Sequence, residues 1–342
     1  MTAFPVNKTA PTPGQAISRA AFAHLAVAAR LPKADDPESY ASTRWPTDGA
    51  AQALVRAAAS PGAAADHPAL VATTVRDYLG ALPQSAAARL LAEAMNVSLA
   101  RDGSLTVPYD ATPVDAGAPW VAELAPIPVN QGVTAAVTVG PARTLGVILT
   151  VSRNLIRQPG AEGLLRRMLQ ARAAWAFDAA LFSSAAGSDT VVAGLLNGVT
   201  ATAPLSLSTR DVLAELGNAL AAAGGSGSVV IAAHPGAAAA IQIDHPDLTW
   251  PILPCPALPP GRVVAIDPAG LVFGTSGGID IEATNAALIH MSDDPAEIAS
   301  DAPATADPVR EIWQTDAIAL RLLVDLAFAA RPGSVQFVDG AQ

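Results

Sequence analysis

The residues with the most chemical promise surround Ser276. Gly274-Thr-Ser276-Gly-Gly278 fits G-x-S-x-G, and Glu282 and His290 follow in the order of a serine hydrolase. A nucleophile elbow needs a helix after the serine, to expose its hydroxyl and help build the oxyanion hole. Here IDIEATN reads as another strand, and a glycine-rich β-turn explains the same letters. A serine hydrolase using Ser276 is therefore the alternative of another class. The five histidines, at 24, 67, 234, 245 and 290, never fall at the spacing of metal ligands. His234-Pro and His245-Pro read as turn residues. Cys255 lies between two prolines with no second cysteine, so it is read as structural and no intrachain disulfide can form. Neither a G-x-x-x-x-G-K-[ST] nor a G-x-G-x-x-G run occurs. The expectation is a chain with no catalytic residues, cofactor or metal.

The elements that would position these groups lean on one stretch, Pro159–Ser184. Pro159 suits the first turn of a helix. Ala161, Met168, Trp175 and Phe182 recur every seven residues, flanked by Leu164, Leu165, Ala171 and Ala179, which makes an apolar stripe. At 1.5 Å per residue this spine would run about 39 Å. Its second half, AAWAFDAALF, is apolar nearly all round and should be covered on more than one side.

Before the spine, residues 1–66 are broken up by proline and acid, with short helical runs at 16–30 and 49–59 but no core. Ala69–Gly80 and Pro83–Met95 read as short helices. Ser104–Tyr109 reads as a strand, and the loop from about 108 to 132 projects without a core of its own. Val133, Ala135, Val137 and Val139 share one face, as do Leu145, Val147, Leu149 and Val151 after Gly140-Pro141, so a β-hairpin is expected. After the spine, GLLNG at 194–198 gives a turn. Ser208-Thr-Arg-Asp211 resembles a capping box ahead of Val212, Leu213, Leu216 and Leu220, with Gly224-Gly225 as the stop. Residues 228–233, 262–267, 271–274 and 279–282 read as strands. Ile318, Leu320, Leu322, Val324, Leu326 and Phe328 alternate without a break, so a long strand is expected, turned back at Arg331-Pro-Gly333 into Ser334–Val338.

Composition bounds the possibilities. At 342 residues, with 51% apolar and 15% charged side chains, the chain can bury a large core and is too apolar to be disordered. A surface so poor in charge argues that part of it is hidden against copies of itself. The net charge of −10 argues against gripping nucleic acid through phosphates. No charge-free run of roughly 18 apolar residues exists, so no membrane span is expected. The first residues lack a basic start and an apolar run, so no secretory signal is expected and the chain is read as soluble and intracellular when made.

The order of elements now carries a resemblance. Trp120-Val-Ala-Glu123, two alternating strands, Thr150-Val-Ser-Arg-Asn-Leu-Ile156, the spine and GLLNG together resemble a tailed-phage major capsid protein of the Hong Kong 97 type. The C-terminal IWQTDAIALRLLVDLAFAARPGSVQFVDG is similar to that family's closing pair of strands. The resemblance covers roughly residues 68–342.

It implies an α+β fold with a peripheral lobe at 133–207 and 306–342, built on the spine 159–184, and an axial lobe at 208–305. It further implies an extended loop at 104–132, short helices at 67–103 leading in, and an N-terminal arm or scaffold-like segment at 1–66. The implied function is a head protein that self-assembles, as pentamers and hexamers, into the icosahedral shell of a tailed phage, prophage or gene-transfer particle. An encapsulin-like compartment is the alternative on the same fold. Trp120, Glu123, Arg153 and Arg157 carry over as assembly contacts. A portal, a maturation protease and a cementing protein are implied partners, packaged DNA is contacted only weakly, and the virion capsid would be assembled in the bacterial host cytoplasm. Some relatives cross-link through a lysine in the extended loop. Here the only lysines are Lys8 and Lys33, and the loop has none.

Overall fold

The structure, a computed structural model, describes residues 15–32, 34–59, 82, 85–100, 103–111, 120, 133–203, 206, 208–290 and 309–340. Helix and sheet are mixed throughout. Strands β1 (Met95–Ser98), β4 (Arg143–Ser152), β8 (Leu271–Thr284) and β11 (Ala317–Ala330) form one sheet in the order β1-β8-β11-β4. The chain divides into two compact units, each drawn from separate stretches. One comprises Met1–Ala81, Leu145–Ala173 and Gly278–Val324; the other comprises Leu82–Thr144, Ala174–Gly277 and Asp325–Gln342.

In the first unit the N-terminal stretch departs from expectation, because it has a core. Helices α1 (Gln15–Ala28), α2 (Pro37–Arg44) and α3 (Gly49–Ala59) pack on one another. Asp36 caps α2 by accepting from the Ser39 N–H at 2.8 Å, and Pro37 sits at its start, so proline and acid here begin a helix rather than break one. Phe22, Tyr40 and Trp45 form an aromatic cluster with ring centroids 5.9–6.5 Å apart, and Trp45 is fully buried. Arg19 pairs with Asp48 at 2.8 Å with both side chains out of solvent, and Asp48 also accepts from the Ala51 N–H at the start of α3. Ile17 through Ala23 are buried in succession, so α1 is enclosed on every side. Alanine makes this possible, since helices without bulky side chains approach closely.

The spine is a 21-residue helix, Ala161–Leu181, shorter than expected at each end. Its buried face is also not the heptad stripe. Ala161, Leu165, Leu169, Ala173, Phe177 and Leu181 are buried at steps of four, a line that drifts round a 3.6-residue helix. Leu164 and Trp175 face solvent, and Met168 is half-buried. Of the heptad line, Ala161 and Phe182 are buried at the two ends, while Trp175 between them is left uncovered.

In the second unit, β5 (Val230–Ala233), β6 (Ile252–Pro254), β7 (Val263–Ile266) and β12 (Val335–Val338) form a sheet in the order β12-β7-β5-β6. Helix Thr209–Ala222 packs on it through Val212, Leu213, Leu216 and Leu220. Its start is the expected cap, with Ser208 accepting from the Asp211 N–H. A helix the sequence did not announce, Pro235–Asp244, follows β5; His234 caps it, its Nδ1 accepting from the Gly236 N–H at 3.3 Å. The last strand, β12, exists where expected, but it pairs with β7 rather than turning back onto β11.

Two further corrections concern strands. β3 (Thr134–Val139) and β4 do not form a hairpin: β3 pairs antiparallel with β2 (Leu105–Asp110), and β4 lies beside β11. Alternation fixes which side chains share a face, but not which strand lies alongside. The stretches 271–274 and 279–282 are one continuous strand, β8, not two strands about a turn. Gly277, at φ +78°, lets the strand pass through the glycine run without a turn.

Candidate assembly surface

The hydrolase arrangement does not form. Ser276 is buried within β8, and the chain continues as strand to Thr284 where an elbow would need a helix. Glu282 pairs with Arg321 at 2.6 Å, and His290 lies in the short strand β9 (Leu288–His290), opposite Val309. Among the described residues no group of three or more His, Cys, Asp or Glu side chains could hold a metal.

The polar groups that matter internally are ones that no motif singles out. Asp178, buried in the apolar half of the spine, accepts from the Ser85 hydroxyl at 2.7 Å and the Ala87 N–H at 2.9 Å. Ser85 in turn caps helix Ala86–Glu93 through the Ala88 N–H. Burial pushes the Asp178 carboxyl up, while the hydrogen bonds from Ala87 and Ser85 pull it back. Cys255 borders the same group, and burial, then the charge of Asp178, pushes its thiol up to about 12. Such a thiol is inert, in agreement with its structural reading.

A second node steadies the root of the extended loop. Asp267 is buried and accepts from the Ser226 N–H and hydroxyl, both at 2.7 Å, and from the Ala269 N–H at 3.1 Å. Arg331 reaches Asp267 at 3.5 Å and the Gly224 carbonyl at 3.0 Å, and its guanidinium lies 5.6 Å from the Tyr109 ring centre. Tyr109 is opposite Ala135, near the end of the β2–β3 pair from which the loop leaves. The other end of that pair is held by apolar packing, with Leu99, Val139, Val272 and Ala327 in one buried cluster. A two-stranded sheet is marginal alone; this one is fixed at its root.

Outward, the surface is unfinished for a solitary protein. Of the five tryptophans only Trp45 is fully buried; Trp120 is wholly exposed, Trp313 is 68% exposed and Trp175 is 61% exposed. Ile243, Leu288 and Ile148 are more than half exposed as well. Exposed aromatic anchors of this kind mark surfaces that meet partners. Of the four residues singled out as contacts, Trp120 stands free and Arg157 is exposed just before the spine. Arg153 pairs within the chain with Asp316 at 3.1 Å, and Ser152 caps the short helix Arg153–Ile156. Glu123 lies outside the described residues. Trp175 and Trp313 were missed as surface groups, because periodicity assigns apolar residues to a stripe without saying what covers it.

Solved structures similar to this chain include those of Mycobacterium phage Bobi (20% identity, TM-score 0.46, covering 73% of this chain and 89% of that one) and Mycobacterium phage Ogopogo (14% identity, TM-score 0.49, 75% and 92%). Another is the capsid of an empty GTA particle (16% identity, TM-score 0.47, 75% and 90%). No curated protein matches the sequence. The sequence matches the phage capsid family over residues 70–243, just over half of its length, and the chain therefore belongs to that family as a major capsid protein, a subunit of a shell.

Proposed function

We propose that this chain closes, as pentamers and hexamers, into the icosahedral shell of a tailed phage, prophage or gene-transfer particle and encloses its DNA. The observation that carries the reading is the exposed set Trp120, Trp175 and Trp313 on a chain of the capsid family. Three large aromatic side chains in water are a cost that association removes. The lobes follow the Hong Kong 97 pattern. The sheet β12-β7-β5-β6 with its two helices serves as the axial lobe, which takes in β12 from the stretch 306–342, and the spine with the long strands serves as the peripheral lobe. The loop 104–132, carrying Trp120 and Glu123, reaches a neighbouring subunit, and Arg157 meets a neighbour beside the spine. Arg153 acts through Asp316, fixing the segment that leads into the spine. The subunit is structural rather than enzymatic. A portal, a maturation protease and a cementing protein complete the particle, which is assembled in the host cytoplasm. With a net charge of −10 the shell holds DNA without gripping it.

Negative-stain microscopy of the purified chain tests this reading. Closed shells or capsomers are expected. A protein that stays monomeric at every concentration and salt tested would overturn it, and particles that hold a cargo protein and no DNA would redirect it to an encapsulin-like compartment.

A further inference from the structure

We propose that residues 15–59 are not a scaffold discarded at maturation but a clamp retained in the shell subunit, gripping the first turn of the spine helix within the same compact unit. Its role in the shell rests on the function proposed above; its grip on the unit does not.

The first observation is that the three helices are a finished piece of protein. Their core holds Trp45 at full burial and an Arg19–Asp48 ion pair whose side chains are 5% and 0% exposed. A pair so deeply buried is stable only while both partners stay in place, since removing one leaves an uncompensated charge. A segment meant for removal has no need of such a core.

The second observation is where the bundle attaches. Arg44, the last residue of α2, reaches Glu162 at 3.5 Å, with side chains only 17% and 26% exposed. Glu162 lies in the first turn of the spine, where the helix dipole already favours an anion, so Arg44 completes a charge site that the spine prepares. The Tyr40 hydroxyl is buried nearby, and burial above all holds its ionisation above the ordinary phenol range.

The third observation is where the first helix lies. His24 of α1 lies within electrostatic range of Asp280 and Glu282, two carboxylates on one face of β8, and Arg321 of β11 bridges them at 4.0 and 2.6 Å. The imidazole Nε2 is shielded from solvent there and has no hydrogen-bond partner. The bundle is thus bonded to the spine through Arg44, while His24 lies near β8 without a bond to it.

Two measurements test this. Intact-mass spectrometry of subunits recovered from particles made with their full complement of gene products should find residues 15–59 still attached; an N-terminus beyond residue 59 overturns retention. Hydrogen exchange of the free subunit tests the grip without any shell. Arg44→Glu should raise exchange at the amides of residues 161–165 at least tenfold, and the double variant Arg44→Glu/Glu162→Arg should restore protection. Unchanged exchange in Arg44→Glu overturns the clamp, as does a double variant that stays deprotected. If the wild-type chain forms no shell, the shell reading fails while the exchange result still decides the grip.

Discussion

Trp175 is the residue where folding and assembly separate. It points away from the buried line of the spine and is 61% exposed, so Trp175→Ala removes little from the subunit core. The expected change in subunit stability is within about 0.5 kcal/mol, the range for surface substitutions. An aromatic anchor at an interface is worth about 2 kcal/mol or more, roughly a 30-fold weakening of association. The variant should therefore melt as the wild-type monomer does yet need a far higher concentration to assemble, as light scattering would read. Equal assembly of the two proteins would remove Trp175 from the interface. His24 gives a second residue-scale expectation. Burial holds its imidazole below the ordinary 6.5, outweighing the opposite pull of Asp280 and Glu282, with Arg321 between those carboxylates. The unfolded chain then binds more protons than the folded one as pH falls below 6.5, so stability declines from there towards the folded-state value. Melting followed by circular dichroism from pH 7.5 to 5 should show that decline, and His24→Gln should flatten it.

At the scale of elements, the turn after the spine is the most constrained. A Cβ built on Gly194 would collide with the backbone carbonyl of Ser183, where the Leu195 and Leu196 N–H groups bond back to Leu181 and Ser183. The clash is with backbone, which cannot swing aside as a side chain can. Gly194→Ala should destabilise the subunit by about 2–3 kcal/mol or more and lower its urea midpoint, whereas Gly163→Ala, with open space around it, should not. These elements also mark what the sequence could disclose. Helix 209–222 was legible because cap, apolar spacing and glycine stop all agree, and β11 because six alternating residues leave no helical face. The partner of β4 was not legible, since alternation carries no pairing information. The N-terminal bundle was hidden because Ala20, Ala23 and Ala26 pack by proximity rather than size. Asp178 was hidden because an acid in an apolar run looks like a solvated interruption until Ser85, distant in sequence, arrives beside it.

For the whole molecule the open matter is what holds one subunit to the next. A covalent weld of the kind some relatives use needs a neutral amine in a desolvated pocket to attack a side-chain amide. Arginine cannot take that part, because its guanidinium stays protonated. This chain has two lysines, Lys8 and Lys33, both in the N-terminal stretch and neither in the loop 104–132. Cys255 offers no second route, since it is buried and the only cysteine in the chain. What the surface does offer is apolar area at Trp120, Trp175, Trp313, Ile243 and Leu288. Each large side chain buried adds about 1.5–3 kcal/mol, enough, summed over the many copies of a closed shell, to hold it without bonds. The shell should therefore be non-covalent. Particles boiled in detergent with reductant should run as a single band at or below the 34.5 kDa of the chain. A ladder of oligomers that survives that treatment would mean a covalent chemistry other than lysine's operates between subunits.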